Sequence, residues 1–228
     1  CEEWPPIQAS RPLYLLADGR LGFEPPVEAA DFEEYVSDPA KPVPYRPRPI
    51  PRDDRDGWGQ WLTEDQRHVD GRPDVLTYQT DPLAAPLRIA GQPSADLLAS
   101  TSGSDADWVV KLIDVWPDED PARPKMGGYP QMISADIFRG RYREDVSSAR
   151  ALQPGARLPY HIRLPHASHT FLPGHRIMVQ IQSTWFPLYD RNPQTFVPNI
   201  FFAEPQDFVQ ATHRIYRGSA IALPVVDD

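Results

Sequence analysis

The apolar positions of this chain gather in short runs, several of them alternating with polar residues, and turn residues separate nearly all of the runs. Residues 175–183 show the pattern cleanly, with Ile177, Val179 and Ile181 on one face of an extended segment. Similar runs recur at 74–80, 86–91, 95–102, 107–116, 131–138, 158–164 and 213–223. The stretch "PLYLLADGRLGF" reads as a hairpin, because Asp18-Gly19 between two apolar runs suits the left-handed geometry of a tight turn. Pro173-Gly174 suits a type II turn leading into the strand that follows. Roughly eight to ten short strands without strand–helix alternation predict an all-β fold, a jelly-roll β-sandwich rather than a doubly wound α/β sheet. At 228 residues, one domain over 1–228 is the simplest organisation.

One segment breaks the pattern. Residues 24–68 are dense in proline and scattered charge ("EPPVEAADFEEYVSDPAKPVPYRPRPIPRDDRD" and beyond), and proline has no amide to donate to an interior ladder. The segment is expected to wrap the outside of the sandwich, with a helical turn at 29–36 and Phe32, Tyr35 and Tyr45 as anchors. The competing reading from composition alone is a disordered linker.

Composition changes the picture mainly by exclusion. A formal charge of -9 repels phosphate backbones, and no Lys/Arg block interrupts it, so nucleic acid is not an expected partner. Apolar stretches such as "FVPNIFFA" (196–203) fall well short of the roughly 20 residues that a membrane helix needs, and no membrane segment is expected. The single cysteine, Cys1, cannot form an internal disulfide framework or a cysteine zinc site. The opening "CEEWPP" has neither an initiator Met nor a basic-then-apolar leader, which reads as a piece of a longer chain.

Candidate chemistry is sparse. No serine sits in the G-x-S-x-G frame that lifts a nucleophile clear of an α/β-hydrolase sheet, and "STSGSDAD" (100–107) reads as a polar turn. His161, His166, His169 and His175 are spaced by 5, 3 and 6 with prolines between, whereas ligands on one strand face need even separations. No metal and no cofactor is expected. Asp114, flanked by Leu112, Ile113, Val115 and Trp116, should be sheltered and should need an Arg or backbone amides as partner. The stretch beyond 183 holds three large aromatics, Trp185, Phe186 and Tyr189, around the polar turn Asp190, Arg191 and Asn192. Such a loop either presses on a partner or folds back on the domain's own core.

A family resemblance appears at these residues. "PGHRI", "FPLYDRNP", "LIDVWPD", "RPDVLTYQT", "YVSDPAKPVPY" and "IFRGRYRE" resemble the C-terminal domain of X-Pro dipeptidyl-peptidase and cocaine esterase-like (CocE/NonD) serine hydrolases. "YVSDPAKPVPY" and "TEDQRHVDGRPDVLTY" look most like the branch of α-amino acid ester hydrolases and glutaryl-7-aminocephalosporanic acid acylases, with His68 a departure where that branch is expected to carry an aromatic. The similarity runs from near residue 11 to near 225. It implies a galactose-binding-like jelly roll packed on an α/β-hydrolase domain that carries a Ser-His-Asp triad, so no catalytic residue is expected within this chain. The parent enzyme would form an acyl-enzyme from esters or amides of α-amino acids. The implied partner is that α/β-hydrolase domain, and the implied role is to close the acyl pocket and hold the hydrolase domain. Trp185, Phe186, Tyr189, Asp190, Arg191 and Asn192 are then the candidates for pocket or inter-domain contact. Homo-oligomerisation is left open, as is an exported (periplasmic or secreted) location. The alternative is a carbohydrate-binding jelly roll, for which three ring platforms on one solvent-facing sheet would be the mark.

Overall fold

The computed structural model describes Trp4 and residues 9–27, 31–49 and 57–226. In chain order its strands are β1 (Ala9–Leu15), β2 (Leu21–Gly22), β3 (Phe32–Ser37), β4 (Leu76–Gln79), β5 (Leu87–Gly91), β6 (Ser94–Thr101) and β7 (Asp107–Val115). They continue with β8 (Pro130–Arg139), β9 (Leu158–Arg163), β10 (Ala167–Phe171), β11 (Arg176–Gln182), β12 (Ala211–Tyr216) and β13 (Ala220–Val225). Among the described residues one short α-helix, α1 (Gly57–Trp61), is joined by a few 3-10 turns.

The strands form two antiparallel sheets. The larger has nine strands in the order β10-β5-β13-β6-β12-β3, with β1 and β2 continuing from β13 and β9 lying on β6. The smaller runs β4-β11-β7-β8. Their inner faces supply one core: Leu13, Ile89, Leu97, Ile162, Ile215 and Leu223 meet Tyr78, Trp108, Val110, Leu112, Ile177, Val179 and Ile181. The sandwich and most of its strands are those expected, while β10 (Ala167–Phe171) falls outside the expected runs. The run expected at 213–223 is two strands, β12 and β13, because Gly218 takes φ 96 and reverses the chain between them. The Asp18-Gly19 turn adopts the left-handed conformation at both residues, φ 58 and φ 66.

The proline-dense segment needs one correction. In place of a helical turn at 29–36, Phe32–Ser37 is the edge strand β3, paired with β12; residues 28–30 lie outside the described residues. An edge position suits a strand that proline-rich chain follows, since only one side of it must pair. The described residues 38–49 and 57–69 lie against the outer face of the small sheet as a strap. This explains why eight of the nine residues of β7 are buried, although antiparallel strands commonly keep one wet face. Val109 and Met132 on that outer face meet Trp61 of the strap and Trp185, with Tyr45 against them. Burying each such side chain contributes roughly 1.5–3 kcal/mol.

Candidate functional site

β11 ends in the loop 183–210, which runs along one end of the sandwich and returns as β12. Two anchors start it. Tyr35 and Ser183 share a hydrogen bond of 2.7 Å, and the Thr184 hydroxyl accepts from the Val43 amide at 2.8 Å. Trp185, 2% exposed, then inserts beneath the strap, its ring 5.5 Å from Trp61 and 6.1 Å from Tyr189. Strap and loop zip together through the backbone: the Phe186 amide donates to Val43 O at 3.0 Å, and the Tyr45 amide donates to Phe186 O at 3.1 Å.

The polar turn is wired inward. Asn192 is buried and donates to Asp107 Oδ1 at 2.8 Å, while its own Oδ1 accepts from the Gln194 amide. Arg139 bridges Asp107 and Asp190 at 3.2 and 3.0 Å. Burial pushes the Asp107 carboxyl up to about 6, because Arg139 and Asn192 offset only part of its lost hydration. Arg139 is half-buried and touches two carboxylates, which hold it more firmly protonated than usual, so the cost of the pair falls on Asp107. Arg191 donates to Pro39 O at 2.8 Å, with its guanidinium between the rings of Phe186 and Phe208. Arg141, fully buried, pairs with Asp105 at 2.6 Å, donates to Val197 O and lies over Phe196. Of the six expected contact residues, Trp185 and Asn192 are therefore enclosed by this chain itself. Phe186, Tyr189, Asp190 and Arg191 are half-buried at the surface of the same end.

Two features of this region were missed by sequence reasoning. Phe201 and Phe202 stand 81% and 82% exposed on the 3-10 turn Ile200–Phe202, which Asn199 caps by accepting from the Phe201 amide at 3.0 Å. The sequence signal was "FVPNIFFA", weighed only as a membrane candidate. The second is Lys111, fully buried on the outer face of β7 and donating to Gln66 Oε1 of the strap at 3.0 Å.

At the opposite end, Asp114 is sheltered as expected, but its partners are not arginine or backbone amides. His169 Nε2 on β10 and His175 Nδ1 in the turn before β11 bind its two oxygens at 2.8 and 2.9 Å, tying one sheet to the other. The turn places His175 there because Gly174, at φ 85, lets the His175 amide reach Leu172 O. Among the described residues no hydrogen bond joins a serine hydroxyl to a histidine; the histidine side-chain partners are aspartates, a glutamine and a backbone carbonyl.

The two antiparallel sheets and the braced aromatic end define a jelly-roll β-sandwich module. Residues 1–223 match the X-Pro dipeptidyl-peptidase C-terminal non-catalytic domain, and the chain belongs to that family. It is 34% identical to the cocaine esterase of Rhodococcus sp. (strain MB1 Bresler), over 98% of this chain and 39% of the esterase. Among solved structures it resembles an aminopeptidase from the marine sediment archaeon Thaumarchaeota archaeon, with TM-score 0.95 and 59% identity over 99% of this chain and 38% of that one. It also resembles an α-amino acid ester hydrolase, with TM-score 0.92 and 60% identity over 95% of this chain and 36% of that one. A CocE/NonD family hydrolase from Staphylococcus aureus shares the fold at 13% identity and TM-score 0.63. The chain thus spans less than two fifths of these structures' length.

Proposed function

We propose that this chain is the C-terminal accessory module of a serine hydrolase acting on esters or amides of α-amino acids. Its loop-bearing end seats on an α/β-hydrolase domain, helps close the acyl pocket and steadies that domain. The observation that carries the reading is the exposed Phe201–Phe202 step. Two adjacent phenylalanines, each about four-fifths exposed on a capped turn, are costly to leave in water and mark an interaction surface. Phe186, Tyr189, Asp190 and Arg191 flank the same loop, with Trp185 and Asn192 bracing it from beneath. The 60% identity to an α-amino acid ester hydrolase supports the substrate class. Against a sugar-binding role, the exposed Trp and Phe rings among the described residues are Trp4, Phe32, Phe201 and Phe202, and of these only Phe32 lies on a strand. The test compares amide exchange of residues 186–209 in the chain alone and in the polypeptide joined to its α/β-hydrolase domain. Protection of 196–209 in the joined form is expected; equal exchange in both forms would overturn the docking reading.

A further inference from the structure

Lys111 sits at the centre of the outer face of β7, and what faces it is unusual for a buried amine. A buried ammonium ordinarily needs a carboxylate. Here Nζ donates to the neutral Gln66 carboxamide and lies 5.4 Å from the centre of the Trp185 ring. Across the strands its neighbours are Gln180 on β11 and Ala135 on β8. Both amide atoms of Gln180 are buried and without partner, as are Gln182 Oε1, Trp185 Nε1 and His68 Nε2. The charged groups of the surrounding elements are engaged elsewhere. On the strap, Glu64 pairs with Arg46 and Asp65 with Arg67; in the loop, Asp190 pairs with Arg139; on β8, Asp136 accepts from the Ile137 amide. Tyr189 lies beyond Trp185. His68 Nδ1 donates to Asp65 O at 3.0 Å, and the Pro44 carbonyl also favours its protonated ring.

One base, Lys111, therefore lies under the strap with only a neutral amide as its hydrogen-bond partner. We infer that the strap, described over residues 38–49 and 57–69, is a proton-sensitive cover: protonation of Lys111 lifts it from the small sheet and loosens the root of the Trp185 loop. As regulation of the proposed docking end, this rests on that reading; the cover itself is a property of the chain alone. Burial lowers the Lys111 amine from 10.5 to about 7. Opening the strap returns Lys111 to water and to its ordinary value. The open form then binds more protons than the closed one between pH 10.5 and 7, so closure strengthens as pH rises. Between pH 8 and pH 5.5 this linkage makes opening about tenfold more favourable.

The experiment is amide hydrogen exchange of the 228-residue chain at the two pH values, corrected for intrinsic exchange. The Tyr45 and Phe186 amides, which zip strap to loop, report the opening. The expected result is an opening constant about tenfold larger at pH 5.5 in the wild type. In Lys111→Met, which keeps the volume and removes the charge, most of that difference should vanish. Equal constants at both pH values in the wild type, or an undiminished difference in Lys111→Met, would overturn the inference. If Lys111→Met does not fold, an NMR titration of Lys111 in the wild type decides: an amine titrating near 7 supports the cover, and one titrating near 10.5 overturns it. Loss of exchange protection at the docking end in the joined polypeptide would bear on the docking reading, not on this one.

Discussion

Replacing Trp185 with alanine tests how far the loop depends on the strap. The indole is 2% exposed and wedged between Trp61 and Tyr189. An aromatic side chain buries on the order of 200 Å², which at about 25 cal/mol per Å² is about 5 kcal/mol of transfer free energy. Its Nε1 is buried without an acceptor, and removing that unmet donor returns about 1–3 kcal/mol. The net loss should therefore be about 3 kcal/mol, at the low end for a buried tryptophan. Urea unfolding of the 228-residue chain measures it, with an unchanged slope showing that the unfolded state is the same. The variant should also exchange the Phe186 and Tyr45 amides faster, since both bonds span the seam that the indole fills. A loss below about 1 kcal/mol would show that Trp185 does not brace the loop, because even the unmet donor cannot cancel so much burial.

Three further outcomes follow from the same structure. Phe201→Ala with Phe202→Ala should leave the chain's own stability within about 0.5 kcal/mol, since both rings are in water, yet lower the melting temperature of the polypeptide joined to its hydrolase domain. Burial lowers the His213 imidazole from 6.5 to about 3, so the unfolded chain binds more protons between those values. Stability should fall by about 1.4 kcal/mol per pH unit as pH drops through that window, and His213→Gln should flatten the slope in acid unfolding curves. Asp114→Ala strips His169 and His175 of their shared acceptor, and chemical denaturation should show a loss of about 1–3 kcal/mol.

The sandwich was legible because alternation reports a strand with one wet face, as at Tyr160 and Ile162 of β9, which alternate with exposed His161 and Arg163. The exception is instructive. "DWVVKLIDV" does not alternate, because a segment some forty residues upstream covers its second face, and no local pattern announces a cover supplied from elsewhere in the chain. The same cover hid Lys111, which reads locally as an ordinary solvated lysine. The loop was recognisable as unusual from its ring content, but which rings turn inward depends on bonds to Val43, Pro39 and Asp107, all remote in sequence. Asp114 was correctly placed in shelter, yet its histidine partners come from the opposite sheet and from a turn, so spacing along one strand could not reveal them.

The pairing of β1 with β13 sets Ala9 opposite Val225, and β13 also borders β5 and β6. β13, the last of the described strands, is thus the hub of the larger sheet. During synthesis, β1, β5 and β6 must each wait with one edge unpaired until residue 225 has left the ribosome, so this part of the assembly runs against translation order. A stalled product lacking β13 would carry open edges on β1, β5 and β6 at once, a species suited to chaperone capture or aggregation rather than to function.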